Sequence, residues 1–241
     1  RWPLGTVLII ALNVLVWFFV QGFGVERALA RSLCLHGLIP ADLLGLVPAG
    51  FQVPLGPRLA CVVDGGGSWF NLFSSMFMHG GWFHIIGNMW FLWVFGDNVE
   101  DVMGLPRFLL FYLLSGLAAA GAQIATDPSS TVPMVGASGA IGGVLGAYAR
   151  MYPRAHVHML IFLGFYITTV AVPAMFMLGY WFLLQLLSGT LGQGGSGVAF
   201  WAHIGGFVAG LLLSLVLVSP RRLGEHRSAQ RRDLHSRYRW F

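Results

Sequence analysis

Four polar residues lie near the starts of three different apolar runs. Ser138 begins one run, His203 lies close to the start of another, and His84 and Asn88 lie close to the start of a third. A serine hydroxyl becomes a nucleophile when a histidine within about 3 Å takes its proton. Hydrogen-bond donors on a neighbouring helix can stabilise the oxyanion that forms in such an attack. These residue types therefore predict acyl-transfer chemistry, provided that the three runs meet.

The composition indicates an integral membrane protein. The chain is 56% hydrophobic and 10% charged, with a mean hydropathy of +0.73, whereas soluble domains carry about 25% charged residues. All 14 basic residues are arginine, and several follow the last apolar run, which is typical of a cytoplasmic flank near anionic lipid. No base-reading motif accompanies them, so nucleic acid is not an expected partner. The first apolar run lacks the features of a removable signal peptide and is expected to remain as an anchor.

The apolar runs predict an all-α membrane protein with six transmembrane helices, since a helix needs about 20 residues to cross a bilayer. The helices are expected at about residues 4–20, 82–99, 107–125, 135–152, 172–187 and 198–218. They form one membrane domain over residues 1–218, with a large outer loop between helices 1 and 2, and residues 219–241 form a basic cytoplasmic tail. We expect residues 157–171 to approach helix 5 along the interface, and the glycine-rich loop 188–197 to act as a lid.

The arginines also predict the orientation of the helices. With the tail inside and six spans, the N-terminus is inside too, and only Arg27, Arg31 and Arg58 fall on the outer side, as the positive-inside rule requires. Helices 2, 4 and 6 then run inward from the outer face. The serine, the two histidines and the asparagine therefore lie at one depth, a little below that face. His84 and Asn88 are four residues apart and share a helix face.

Two helices carry the small residues that a direct Ser138–His203 contact needs. Helix axes normally lie about 8–10 Å apart, and glycines spaced as GxxxG let membrane helices approach more closely. Such glycines occur on helix 4 at positions 139, 142, 143 and 146, and on helix 6 at 205, 206 and 210. No carboxylate is placed to complete a triad, because Asp97 lies about 14 Å farther along helix 2 than Asn88. The pattern therefore predicts a Ser–His dyad, with the amide of Ser138 at a helix N-terminus available to an oxyanion.

Four motifs resemble, in order and on the expected helices, those of the bacterial rhomboids, which are intramembrane serine proteases. The motifs cover the region from about residue 77 to residue 218, and they are His79–Asn88, Gly96–Asp101, Gly136–Gly139 and Ala202–Gly206 with Gly210.

The resemblance implies a six-helix core in the bacterial inner membrane, with a site that opens to the outer face and cleaves transmembrane protein substrates. It implies that Ser138 is the nucleophile and His203 the base, and that the Ser138 amide, His84 and Asn88 form the oxyanion hole. Close helix packing at the site is expected at Gly136, Gly139, Gly206 and Gly210. Neither a cofactor nor a metal is implied.

Some positions depart from the family pattern or allow two interpretations. Gly142 stands where some rhomboids carry an aromatic side chain that stacks on the histidine. The sequence therefore does not indicate which residue holds the His203 ring in place. Cys34 and Cys61 both fall in the outer loop and form either a disulfide or two free thiols. Asp97, Glu100 and Asp101 are expected to cap or pair at the cytoplasmic end, with Arg107 as a candidate partner.

Two other functions compete with a protease. A rhomboid-like protein could bind membrane helices without cutting them, but such a protein has no need to retain both Ser138 and His203. A transporter or channel predicts polar residues that continue across the midplane, whereas the polar cluster here stops in the outer half and no inverted repeat is evident. His84 and Asn88 could also simply bridge helices by hydrogen bonds.

Overall fold

The computed structural model describes residues 2–55, 59–63, 65–163, 166–191 and 198–237. Most of these residues form α-helices. One antiparallel strand pair lies between α3 and α4, and a second lies between α7 and α8. The helices are α1 Leu4–Phe19, α2 Glu26–His36, α3 Pro40–Leu43, α4 Asn71–Ser74, α5 Trp82–Met103, α6 Leu105–Thr126, α7 Ser138–Met151, α8 Ala174–Thr190, α9 Phe200–Leu217 and α10 Pro220–Arg237. The strands are β1 Gln52–Pro54, β2 Ala60–Val62, β3 His156–Leu163 and β4 Tyr166–Pro173.

Helix α7 forms the centre of the molecule. It packs against α5, α6, α8 and α9, and every residue from Gly139 to Tyr148 is buried. Alanines and glycines let the neighbouring helices close around it on all sides, while Val144 and Leu145 join the main apolar core with Phe108 of α6. A helix that is apolar all round is a buried helix, so the composition of α7 accounts for its central place.

Two of the described helices, α6 and α9, are long and apolar enough to cross a bilayer by themselves, and α1 and α8 are shorter apolar helices. Helix α5 is equally long, but its last turns carry Asp97, Glu100 and Asp101. Helices α1 and α5 to α9 lie near the residues at which helices were predicted, although α7 begins at Ser138 rather than near residue 135. The predicted lid lies partly outside the described residues, since 192–197 are not among them.

The prediction of an all-α protein misses the two hairpins. Residues 157–163 and 166–171, predicted as an approach to helix 5 along the interface, form most of β3 and β4, which pair from His156↔Pro173 to Leu163↔Tyr166. β-branched residues such as Ile161, Thr168 and Val172 favour this conformation. Pro173 then ends the strand, and α8 begins at the following residue, because a proline fixes φ and donates no hydrogen bond.

The described part of the segment between α1 and α5 has its own small core and is joined to the segment before α7. Cys34 of α2 and Cys61 of β2 form a disulfide, which resolves the choice between a disulfide and free thiols. Leu38 exchanges two backbone hydrogen bonds with Met134, with N···O distances of 3.0 and 2.8 Å. The segment between α2 and α3 therefore holds the backbone four residues before Ser138.

Glu100 joins the C-terminal end of α5 to the start of α1. Its carboxylate is 5% exposed and accepts hydrogen bonds from the backbone amides of Gly5 at 2.7 Å and Thr6 at 2.8 Å, and from the Thr6 hydroxyl at 2.9 Å. These amides are unpaired donors at a helix N-terminus, where a negative charge is favourable. Glu100 was expected to cap a helix or to pair with a charged residue, and it caps the N-terminus of α1. The predicted candidate partner, Arg107, does not form a hydrogen bond with it.

The basic region after α9 forms α10 and returns to the C-terminal end of α7. Arg227 donates two hydrogen bonds to the carbonyl oxygen of Met151, at 3.0 and 2.6 Å, and His226 lies 2.9 Å from the hydroxyl of Tyr152. These contacts close the C-terminal end of α7, where the last carbonyls of a helix lack partners within the helix.

Replacing Glu100 with glutamine should lower the free energy of unfolding by about 1–3 kcal/mol, because the new amide group turns a donor towards buried N–H donors. Thermal unfolding in detergent measures the change. Glu225→Gln is the matched control, since Glu225 pairs with Arg221 at an exposed site where an ion pair contributes little. Equal midpoints for the two variants would contradict the role of Glu100.

Candidate active site

Ser138 is the first residue of α7, and the backbone before it is fixed from two sides. Met134 is paired with Leu38, and the Gly136 amide donates a hydrogen bond of 2.9 Å to the carbonyl of Ser75. Gly136 has a φ of 125°, a conformation that side chains disfavour. A β-carbon there would also lie 2.7 Å from Nε2 of His84 and 3.4 Å from Oγ of Ser138. Gly136 therefore keeps the space in front of the serine free.

Glycines let α7 and α9 pack backbone against backbone. A β-carbon at Gly206 would overlap the carbonyl of Gly139, and one at Gly210 would overlap the carbonyl of Gly143. At Gly142, a β-carbon would lie 2.9 Å from the carbonyl oxygen of His203. The two helices are thus closer along this face than any side chain would allow.

This close approach brings Ser138 and His203 together. The serine Oγ lies 2.8 Å from Nε2 of the histidine, which is hydrogen-bond distance for proton transfer. Both side chains are partly buried, and the two residues are 65 positions apart in the chain. The two residues predicted as a dyad therefore have the geometry that nucleophile activation needs.

Gln185 also contacts His203, and the sequence pattern did not predict this contact. Its Oε1 lies 2.8 Å from Nδ1 of His203, and the ring of Trp181, one turn earlier on α8, lies 5.9 Å from the imidazole at an angle of 34°. A glutamine is costly in the interior of an apolar helix and is often functional there. A glutamine within this apolar run could therefore have been noticed in the sequence. Its spacing alone does not show that Gln185 faces α9.

A cavity of about 160 Å³ opens beside the serine. Ser138, His203, His84 and Gly136 are among its lining residues. The Gly80 amide donates a hydrogen bond to Nδ1 of His84 at 3.3 Å, so the neutral ring carries its proton on Nε2. That N–H faces Gly136 and the cavity, and His84 is therefore available as a donor.

Asn88 is placed differently from His84. Its side chain is buried, 8% exposed, and is not among the residues that line the cavity. Its Nδ2 has no hydrogen-bond partner among the residues that the structure describes. The structure thus brings Ser138, His203 and His84 to one cavity and leaves Asn88 outside its lining, with a free donor.

His79 supports the start of α5 through its backbone. Gln21 accepts a hydrogen bond from the His79 amide and donates one to its carbonyl, both at 2.8 Å, and the His79 ring packs edge-on against His84 with centroids 5.1 Å apart. Burial, with a smaller contribution from His84, lowers the pKa of His79 to about 3. The ring is therefore neutral at physiological pH and places no positive charge beside His84.

A second cavity, of about 260 Å³, adjoins the first. The two share Met134, Val198 and Ala199, and the second extends towards Thr126 at the end of α6 and Gly189 on α8. Together they form a cleft that leads to Ser138 past the start of α9.

Comparison with known proteins gives a consistent set of relatives. The model of the rhomboid domain matches residues 66–220. The chain is 32% identical to rhomboid protease GluP of Bacillus subtilis over 157 residues, 64% of this chain and 27% of that protein. It is 33% identical to RHOMBOID-like protein 4 of Arabidopsis thaliana over 177 residues, 73% and 41% of the two chains. The chain thus spans less than half the length of either relative.

A third similar protein is more nearly the same size. The putative rhomboid protease YdcA of Bacillus subtilis is 28% identical over 162 residues, which are 64% of this chain and 70% of that protein. The similarity is therefore not confined to one segment of a much larger relative.

Replacing Gly206 with alanine should lower the free energy of unfolding by about 1–3 kcal/mol, because the methyl group has no room between α7 and α9. Gly121→Ala on α6 is the matched control, since a β-carbon there meets open space and alanine favours the helix. Unfolding in detergent compares the two variants. A loss for Gly121→Ala as large as for Gly206→Ala would contradict the backbone contact.

Proposed function

The chain belongs to the rhomboid family, and we propose that it is an intramembrane serine protease in which Ser138 is the nucleophile and His203 the general base. One observation carries the proposal: the 2.8 Å hydrogen bond between the two side chains at a cavity. Membership of the family makes the chain an integral membrane protein related to proteases. The pairing of nucleophile and base favours an active enzyme over a protein that only binds membrane helices.

The reaction would proceed through an acyl-enzyme. The Ser138 oxygen bonds to the scissile carbonyl carbon while its proton moves to Nε2 of His203. The tetrahedral intermediate collapses, the C–N bond breaks, and the leaving amine takes the proton from His203. A water molecule then gives a proton to His203 and attacks the acyl carbon. Collapse of the second intermediate returns the proton to Ser138 and releases the carboxyl product.

The developing oxyanion would receive hydrogen bonds from three groups. The Ser138 amide lies at the N-terminus of α7, where the positive end of the helix favours a negative charge. His84 offers its Nε2–H to the cavity, and Asn88 has a donor with no partner among the described residues. We expect His84 to contribute more than Asn88, because only His84 lines the cavity.

The proposed membrane arrangement has six crossing helices, α1 and α5 to α9, within one domain over residues 1–218. Both termini and the basic region 219–241 lie in the cytoplasm, and the site opens to the outer face of the bacterial inner membrane. Helix α7 has 14 residues and is about 21 Å long, shorter than the roughly 30 Å of hydrocarbon. Its N-terminal Ser138 can therefore lie below the outer surface and still meet water through the cavity.

The proposed substrates are transmembrane proteins whose scissile bond lies near the outer face of the bilayer. The carbonyl groups of a helix are hydrogen-bonded within it, so the substrate must unwind locally before Ser138 can attack. The cleft between residues 130–134 and 198–201 offers space for such an unwound segment.

A fluorophosphonate probe should label the wild-type protein in detergent, because the probe reacts with activated serines. Ser138→Ala and His203→Ala should abolish labelling while leaving thermal stability near that of the wild type. Gel fluorescence with mass spectrometry of the labelled peptide measures both the extent and the position. A folded wild type that resists the probe would favour the helix-binding alternative over the protease.

His84→Ala should slow fluorophosphonate labelling by about 100- to 1,000-fold, the usual effect of removing an oxyanion donor. Asn88→Ala should have a smaller effect, since Asn88 does not line the cavity. His158→Ala is the control, because His158 is exposed on β3. Rate constants from time courses at one pH compare the three variants. An Asn88 effect larger than the His84 effect would reverse the proposed order.

A further inference from the structure

We propose that Gln185 is the positioning residue for the base: its side-chain oxygen accepts the Nδ1–H of His203 and fixes the imidazole for proton transfer from Ser138. The inference rests on the proposed function of Ser138 and His203. It extends the predicted dyad by a third residue, supplied by α8.

The two hydrogen bonds of His203 require one tautomer. The Ser138 hydroxyl must donate to Nε2, so Nε2 must be unprotonated and Nδ1 must carry the proton of the neutral ring. An acceptor lies where that proton points, since Oε1 of Gln185 is 2.8 Å from Nδ1. The opposite tautomer would turn Nε2–H towards Ser138 and could not take the serine proton. Gln185 therefore favours the tautomer that a general base needs.

A neutral acceptor suits this place. The orienting group of a soluble triad is a carboxylate or an asparagine, but an unpaired carboxylate is costly at membrane depth. No carboxylate among the described residues is hydrogen-bonded to His203. A glutamine orients the ring through the same type of hydrogen bond and adds no charge.

Helix α8 supports the ring from the side that α7 cannot reach. Gly142 of α7 lies against the backbone carbonyl of His203, where a β-carbon would be only 2.9 Å away. Support comes instead from Trp181 and Gln185, which are four residues apart and share one face of α8. Trp181 lies over the ring, with centroids 5.9 Å apart, and Gln185 holds its edge. Trp181 and Gln185 therefore hold the His203 ring in a chain that has glycine at position 142.

The test compares two substitutions at position 185. Gln185→Leu keeps the size and removes the acceptor, and it should slow fluorophosphonate labelling by about 10- to 100-fold. Gln185→Glu keeps an acceptor, and its rate at pH 8 should stay within about threefold of the wild-type rate. Its carboxylate stabilises the protonated imidazole, so the acid limb of the pH–rate profile should move to higher pH. Leu184→Ala, at an exposed neighbouring position, should match the wild type.

A purely structural role would not separate the two variants in this way. Equal losses for leucine and glutamate, or a leucine variant as fast as the wild type, would overturn the proposal. The proposal would also be overturned by a second pair of results. In that case the slower labelling of Gln185→Leu is accounted for by the fraction of the protein that is unfolded, and the pH–rate profile of Gln185→Glu does not shift.

Histidine nitrogen NMR in micelles tests the tautomer independently of catalysis, with the His203 signals assigned by their loss in His203→Ala. The wild type should show a protonated Nδ1 on His203, and Gln185→Leu should show a mixture of tautomers. If the wild type resists the fluorophosphonate, the proposed protease activity fails, and the NMR comparison still decides the role of Gln185. The same tautomer in both proteins would overturn it.

Discussion

The contact between the backbones of α7 and α9 is the constraint on which the rest of the site depends. Lipid is as apolar as the helix surfaces, so membrane helices gain little from hiding apolar side chains from it and associate through close packing. Here Gly206 and Gly210 rest on the carbonyls of α7. The Ser138–His203 distance is therefore set by main-chain contact rather than by long side chains with several rotamers. The surrounding helices close round this pair and leave one side open to the cavity.

The polar groups of the site are shared among several elements, each of which satisfies a separate requirement. Helix α7 supplies the serine, α9 the histidine, α5 the donor from His84, and α8 the acceptor from Gln185. The Gly80 amide fixes the proton of His84 on the side of the cavity. Both histidines among the described residues that line the cavity thus have a partner at Nδ1 that favours one tautomer. None of those described lining residues has a charged side chain.

The sequence predicted the parts of this molecule that depend on periodic or local patterns. Apolar runs indicated the principal helices, and glycine spacing indicated that Ser138 and His203 approach each other. The β3–β4 hairpin was missed because a short apolar run does not distinguish a strand from a helix. Gln185 was missed because its role depends on the rotation of α8 about its axis. Asn88 was grouped with His84 by spacing, yet a difference of one turn leaves it outside the cavity lining.

The outer loop has a consequence for how the protein matures. Cys34 lies four residues before Leu38, and Leu38 is paired with Met134, four residues before Ser138. In the proposed orientation these cysteines face the oxidising side of the membrane, where disulfides persist. The bond can therefore close only after the loop has been exported. Assembly of the backbone that presents Ser138 would in this way be linked to translocation, so a newly made chain would reach its final form only once it is fully inserted.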